Sequence, residues 1–565
     1  MLALLAAHLV LTALPGIAAT LIAARLGVRV VPVLLAIGLA ATGILAMLDF
    51  WAYYGDRTLG ETFSYFVLFG SVLSVAWSLY GGRVDSALLR QLATPLALWA
   101  LGSVFLVALG FLHGGTESPI SMSANRFYGP LPADNDIPHY FAEWFYANGH
   151  SGHPVFGEWL ASDRPPLQTG YVLSQRLFGG GHSGLSYQVL GVVLQQLWIV
   201  GLWALLLAAR VGRLTRALAM LTVLVSDVAI VNGFFVWPKM LPAAMLLAAA
   251  SLIVTPLWPQ LRRNTWAGAL VAALFALAML AHGGSAFGVI PLALIAAFRG
   301  LPSWRWLGAG LLAAIVLTAP WSAYQKYSEP PGNRLLKYQL AGVVEIDDRG
   351  TVETLVDSYG EVGFGGAVHN KGQNFVTMAG GGPMFDHSKV AVEAVTDGDF
   401  ATFLREARTN LFYNLLPSLG LLLIAPLVML VARRRGRLNP VEWSFALTCF
   451  AVMVLGAVVW GLVMFGNEAS RTVLHQGTFL LPLLGLCGAV CGLRATFPRF
   501  ATYFVGFGAL TMLAIYVPAL DPLPGTSYSL VNALLAAAGL AGFGAVVLHA
   551  SSACPGGASP PATAP

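Results

Sequence analysis

The sequence predicts an all-α polytopic membrane protein, a helical bundle of about fifteen spans with two long extracytoplasmic loops. Three observations predict it: 57% of the 565 residues are hydrophobic and only 10% charged, mean hydropathy is +0.72, and apolar runs long enough to span a bilayer recur along the chain. A soluble surface needs far more charge than this. A helix of about twenty residues crosses a hydrocarbon core of roughly 30 Å, and a helix satisfies its own backbone there.

Taken in order, spans are expected near 2–24, 30–53, 63–82, 92–112, 184–209, 217–236, 240–258, 266–282, 285–299, 306–323, 409–432, 442–465, 473–493, 500–519 and 528–549. The first run has no basic start and flows into a second apolar run, so it reads as a retained span rather than a cleaved signal. Ala281-His282-Gly283-Gly284-Ser285 makes a tight turn between two short halves. The chain then divides into N-terminal helices (1–91), a core of spans (92–323) with the first outer loop at 113–183, a loop or cap (324–408), C-terminal helices (409–549) and a Pro/Ala/Gly-rich tail (550–565) expected to be disordered and cytoplasmic.

Basic residues orient the bundle. With the N-terminus outside, 17 of the 31 Lys and Arg fall in cytoplasmic turns, and the clusters Arg210-Arg213-Arg216 and Arg433-Arg434-Arg435-Arg437 place both long loops outside. Those loops carry 18 of the 26 acidic residues. The net charge of +5 therefore reports topology, and nucleic acid is not an expected partner. The expected location is the cytoplasmic membrane, with any active site on the extracytoplasmic side. Cys449, Cys487 and Cys491 lie in spans and Cys554 in the tail, so no disulfide is expected in the outer loops. The i, i+4 pair Cys487/Cys491 reads as packing.

The first outer loop concentrates the chemistry. Asp134-Asn135-Asp136 precedes Ile137, Tyr140, Phe141, Trp144 and Phe145, whose three- and four-residue spacing puts them on one face of a helix lying at the membrane interface. Gly149, Pro154 and the triplet Asp163-Arg164-Pro165 follow. Asp136, two residues before Pro138, reads either as a helix N-cap or as a functional carboxylate. Asp134, Asp136 and Asp163 together offer hard oxygen ligands for a divalent metal, and equally for a structural calcium-like ion.

This loop resembles the first outer loop of GT-C glycosyltransferases, in particular the branch that includes aminoarabinose transferases and protein mannosyltransferases. That branch opens the loop with an acid, follows it with an amphipathic helix bearing a Tyr, and closes it with Glu-Lys-Pro or a variant. Asp163-Arg164-Pro165 keeps the charge signs with a shorter acid and a different base, and the likeness covers about thirty residues. The resemblance implies a GT-C-like core at 92–323 and a membrane glycosyltransferase. Such an enzyme moves a sugar from a polyprenyl-phosphate carrier to a hydroxyl of a lipid, glycan or protein acceptor at the outer surface. It also implies a carboxylate base, for which Asp136 leads and Asp134 and Asp163 follow. Arg164 is placed to fork onto the departing phosphate, with Tyr140 and His139 beside it.

Outside this loop, Lys239 in Val236-Trp237-Pro238-Lys239 stands at an outer turn against the charge rule, either as a lipid-phosphate ligand or as a lysine snorkelling beside an interfacial Trp. Arg471 and His475, one helical turn apart, open a late span from outside; the resemblance makes them carrier-phosphate contacts, and the plain reading makes them interfacial anchors. His282 reads as a packing residue. Asp227, near mid-span, is expected to be paired, neutral or facing a cavity. The second loop, with Pro330-Pro331-Gly332-Asn333-Arg334, reads as a helical lid without a catalytic residue of its own. Two rival functions remain. One is a transporter or flippase of a lipid-linked sugar, which calls for broken helices and midplane charges; the other is a glycan polymerase or ligase relying on late-loop arginines.

Overall fold

A computed structural model describes residues 1–82, 84–129, 131–178, 183–346, 348–378, 381–413, 421–433, 438–468, 479–519 and 527–552. Among them the chain is almost wholly helical. The only strands are Val155–Phe156 and Trp159–Leu160, a short antiparallel pair in the first outer loop.

Nine helices among the described residues are long and apolar enough to cross a membrane: Leu2–Arg25, Val31–Gly55, Arg57–Gly82, Ser86–Gly110, Gly184–Ala208, Trp304–Ser328, Pro440–Val463, Pro498–Tyr516 and Leu530–Ala550. A tenth arises if Arg213–Leu224 and Asp227–Phe235, bent by 51° at their break, form one span. Met240–Ile253, Thr265–Ala281, Gly283–Phe298 and Leu480–Thr496 are apolar but only 10–17 residues long. The chain is thus an all-α, multi-pass membrane protein, with nine or ten helices of spanning length among the described residues where fifteen spans were expected. The expected spans 409–432 and 473–493 fall partly outside the described residues.

Two elements make the centre. Gly184–Ala208 is buried throughout, as is Met240–Ile253, whose run of alanines lets neighbours approach closely. Around them, Arg57–Leu79, Trp304–Ala323 and Pro498–Tyr516 expose large apolar side chains such as Phe66, Leu311 and Phe507. That distribution suits a protein whose outer solvent is lipid.

The N-terminal helices are part of this core. Val31–Gly55 packs against Leu167–Gln175, Met240–Ile253 and Thr265–Ala281. It also takes the aromatic helix of the first loop, Ile137–Asn148: Phe145 meets Phe50 edge-on at 5.2 Å, and Tyr146 lies 5.7 Å from Tyr53. Ile137, Phe141 and Phe145 are therefore buried in protein, not laid on the bilayer as expected. The spacing specified an apolar neighbour, and the second helix of the chain supplies it.

Buried polar side chains join the pieces. Gln195 caps Met240–Ile253 by accepting from the Met240 and Leu241 amides at 2.9 and 3.0 Å, and its Nε2 donates to Gln168 Oε1 at 2.9 Å. Gln168 Nε2 donates in turn to the Val236 carbonyl at 2.8 Å. Tyr187, which takes a bond from Gln168 at 3.2 Å, donates to the Asn135 carbonyl between the two loop acids. At the far side, Arg126 and Arg408 both donate to the carbonyls that end Pro498–Tyr516, Arg126 to Val517 at 2.8 Å and Arg408 to Pro518 at 2.7 Å. Cations at a helix C-terminus are favourably placed.

Gly170 shows how tightly the first-loop helix docks: a Cβ there would lie 2.3 Å from the Ala46 carbonyl oxygen. We expect Gly170→Val to cost about 1–3 kcal/mol by overpacking, read as a lower thermal unfolding midpoint in detergent.

Candidate functional site

A cavity of about 570 Å³ opens where the two long loops meet the bundle. Its polar wall comprises Asp134, Asp163, Arg164, His282, Gln325 and Asn333, and its larger apolar wall includes Phe287, Ile290, Trp321, Leu336 and Leu340. One end is charged and the rest is greasy.

The charged end grows from two short segments. The 3-10 turn Ala133–Asn135 leads into Ile137–Asn148 and presents Asp134; a second turn, Ala161–Asp163, presents Asp163 just before Leu167–Gln175. Arg164 lies between them, its Nη2 donating to Asp134 Oδ2 at 3.1 Å and its guanidinium 4.3 Å over the Trp159 ring. Its Nε–H has no hydrogen-bond partner among the described residues. Asp163 Oδ2 accepts from the Leu160 amide at 3.0 Å and faces Arg334 Nη1 at 3.6 Å, while Oδ1 takes no bond from the described residues. Burial raises the Asp163 carboxyl above its ordinary pKa, opposed by the Leu160 amide, Arg334 and Arg164.

Arg334 comes from the second loop. It lies 4.8 Å over the same Trp159 ring, donates to the Val344 carbonyl at 2.7 Å and pairs with Glu158 at 3.2 Å. Around it, Gln325 Nε2 donates to the Ser162 and Gly332 carbonyls at 2.8 and 3.0 Å, and Glu329 accepts from the Ser162 amide and from Tyr324. Gly332 has φ of +58°, and a Cβ there would lie 2.3 Å from the Gln325 carbonyl oxygen, so only glycine lets this strap close. Beyond it, Arg334–Ala341, Thr351–Met378, Gly381–Asp397 and Phe400–Tyr413 give the second loop its expected helical character.

Lys239 lies behind the cavity. Val236 sits in the left-handed region at φ +56°, an uncommon place for a β-branched residue, and this turn returns the chain so that Trp237 and Pro238 line the wall. Lys239 is buried, 4.0 Å from the Trp237 ring, with Nζ 2.6 Å from His282 Nε2. His282 Nδ1 accepts from the Gly284 amide at 3.0 Å, which leaves its Nε2 to meet the Lys239 amine. Burial holds the Lys239 pKa well below its ordinary value; Arg164 adds to the shift and Asp134 opposes it.

Of the residues expected from sequence, Asp134, Asp163 and Arg164 meet at one cavity, with Lys239 adjoining. Asp136 does not line it: its carboxylate bonds His139 Nδ1 at 3.1 Å and makes no side-chain N-cap bond. His139 instead stacks on Tyr187 at 4.9 Å, and Tyr140 packs on Phe156 at 5.4 Å. Arg471 and His475 lie outside the described residues. The three aspartates do not make a metal cage. Each carboxylate faces a different side chain, Asp134 facing Arg164, Asp136 facing His139 and Asp163 facing Arg334, and no group of three His, Cys, Asp or Glu able to hold a metal occurs among the described residues. Sequence reasoning missed Arg334, His282 and the Trp159 platform as site residues, although Pro330-Pro331-Gly332-Asn333-Arg334 was a visible signal of a rigid turn delivering a cation. Neither a family model, nor a curated protein, nor a solved structure matches the chain.

Arg334→Met leaves the buried Asp163 without its second-loop partner. We expect a loss of about 3–5 kcal/mol, and hydrogen exchange should show residues 325–345 losing protection before the spans do.

Proposed function

We propose that this chain is a membrane glycosyltransferase of GT-C type. In this reading the bundle has about fifteen spans, and the chain moves a sugar from a polyprenyl-phosphate carrier to an acceptor hydroxyl at the outer face of the cytoplasmic membrane. The observation that carries the reading is the convergence of Asp134, Arg164 and Asp163 on a cavity whose remaining wall is mostly apolar, with uncharged polar side chains such as Gln325, Asn333 and Gln339 among it. An isoprenoid phosphosugar has that division: a hydrocarbon tail, an anionic joint and a polar head. The two long loops build the charged end, which fits the orientation derived from the basic residues.

The roles follow from chemistry at each atom. Arg164, whose Nε–H takes no partner among the described residues, donates to the carrier phosphate and stabilises the charge that grows as the glycosidic bond breaks. Lys239 adds a second cation once an anion beside it favours the ammonium form. Asp134, 18% exposed where the Asp163 side chain is fully buried, takes the proton of the attacking hydroxyl. When the phosphate occupies Arg164, the Asp134 carboxylate is released from that ion pair and can accept a hydrogen bond from the acceptor hydroxyl. Asp163 is a positioning residue that holds Arg334 and, through it, the second loop. The leading role thus passes from Asp136 to Asp134, because Asp136 is engaged by His139 away from the wall. No step is routed through a metal.

A second reading, a flippase of a lipid-linked sugar, is favoured by one observation. The helix pair Arg213–Leu224 and Asp227–Phe235 is bent by 51° with a buried carboxylate at the start of its second half, as transporters require. Asp49, buried in Val31–Gly55 and bonded to Ser64 at 3.0 Å, is another intramembrane acid.

Proteoliposomes supplied with labelled polyprenyl-phosphate sugars separate these readings. Asp134→Asn should lower transfer by about 10²–10⁴, with Asp136→Asn far milder. Undiminished transfer in Asp134→Asn removes the base assignment, and tracer uptake by sealed vesicles without transfer selects the flippase.

Phosphate binding should also be pH-dependent. An anion beside Lys239 raises its depressed pKa, so binding takes up a proton, and affinity falls as pH rises between the lowered value and the ordinary one near 10.4. Calorimetry with a short-chain polyprenyl phosphate, above the second phosphate ionisation near pH 6, should show a slope of up to about tenfold per pH unit. Lys239→Met should flatten it.

A further inference from the structure

A second cavity, of about 360 Å³, lies among Leu2–Arg25, Val31–Gly55, Arg57–Leu79 and Ser86–Gly110, away from the site above. Its wall is hydrocarbon except for Thr12, Thr20 and Thr42, and all three hydroxyls are already bonded within the protein. Gln175 donates to Thr12 at 2.8 Å, Thr20 donates to the Leu34 carbonyl at 3.1 Å, and Thr42 accepts from Tyr171 at 2.9 Å while donating to the Leu39 carbonyl at 3.1 Å. A polar ligand would be desolvated there without compensation. A hydrocarbon chain pays no such penalty.

One end of the slot carries a cation. Arg25 lies one helical turn beyond the lining residue Leu21, on the same face. Its guanidinium sits 3.9 Å over the Trp77 ring and donates to the Trp77 and Tyr80 carbonyls, at the end of the helix whose Val75 and Leu79 line the opposite wall. No carboxylate pairs with it among the described residues. A dry slot ending in a cation inside a bundle of spans has the chemistry of one lipid class.

We propose that this slot binds one acyl chain of an anionic phospholipid whose phosphate rests against Arg25. The bound lipid braces the transfer site from behind, since Thr12 and Thr42 in its wall bond Gln175 and Tyr171 on Leu167–Gln175, the helix that follows Arg164. Binding itself does not depend on the reaction proposed above.

Native mass spectrometry of the full chain, released from nanodiscs of mixed phosphatidylglycerol and phosphatidylcholine, tests it. The wild-type chain should retain phosphatidylglycerol in preference to phosphatidylcholine. Ala93→Trp, which fills the slot from an exposed position on Ser86–Gly110, should lower retention by about tenfold or more, because each excluded methylene is worth roughly 0.8 kcal/mol. Ala13→Phe fills it from the facing helix and gives the same reading if the first variant folds poorly. Arg25→Gln should keep a lipid but reduce the preference for phosphatidylglycerol about fivefold. Added phosphatidylglycerol should raise the thermal midpoint of the wild type and not of Ala93→Trp. Equal retention in folded filling variants overturns the slot, and an unchanged preference in Arg25→Gln overturns the headgroup assignment.

Discussion

One side-chain pair, Gln195 with Gln168, sets the distance between the two halves of the charged pocket. The 2.9 Å bond between their amides is buried where no water replaces it, so breaking it exposes both groups to the full cost of desolvation, about 1–3 kcal/mol each. From Gln195 the connection runs to the first amides of Met240–Ile253, whose preceding residue is Lys239. From Gln168 it runs through Tyr187 to the carbonyl of Asn135, next to Asp134. The anchor for the cation and the anchor for the acid are thus one hydrogen-bonded unit, and the central buried helix Gly184–Ala208 carries it.

The charges around Trp159 are held in a state that answers to an anion. Arg164 and Arg334 both lie over the indole ring, and each has one carboxylate partner in reach of the cavity. In a low-dielectric surrounding such pairs are strong while closed and sensitive to any third charge. Burial holds the Lys239 pKa well below its ordinary value beside His282, and a negative group next to it would raise it. In the proposed reading a carrier phosphate would meet the Arg164 guanidinium beside this buried amine, and would leave Asp134 with a smaller share of Arg164.

Much of this was legible in the residues alone, and what was not has a physical reason. The loop acids and Arg164 announced themselves because charged residues are rare in the chain and clustered there. The aromatic spacing from Ile137 to Phe145 correctly gave a helix with one apolar face, but periodicity cannot tell lipid from a packed neighbour, and Val31–Gly55 turned out to be that neighbour. Asp136 looked like the leading acid by position; only side-chain direction shows that His139 holds it and that Asp134 reaches the wall. Arg334 was invisible as a partner because its contacts with the first loop cross 176 residues. Lys239 stood out by breaking the charge rule, while His282, its partner, looked like an ordinary turn residue. The short helices Met240–Ile253 and Leu480–Thr496 show what a count of apolar runs leaves open: a run can fold as a helix of spanning length or as a shorter buried one.

The pairing of Asp163 with Arg334 has a consequence for biogenesis. Chains are made from the N-terminus, so the first loop is complete well before the strap at 324–334 is synthesised. Until that strap arrives, a carboxylate destined for a dry wall must stay wet, and the turn at Ala161–Asp163 has no reason to settle. The pocket is closed late by a segment from beyond the central helices, which ties its completion to the insertion of most of the bundle.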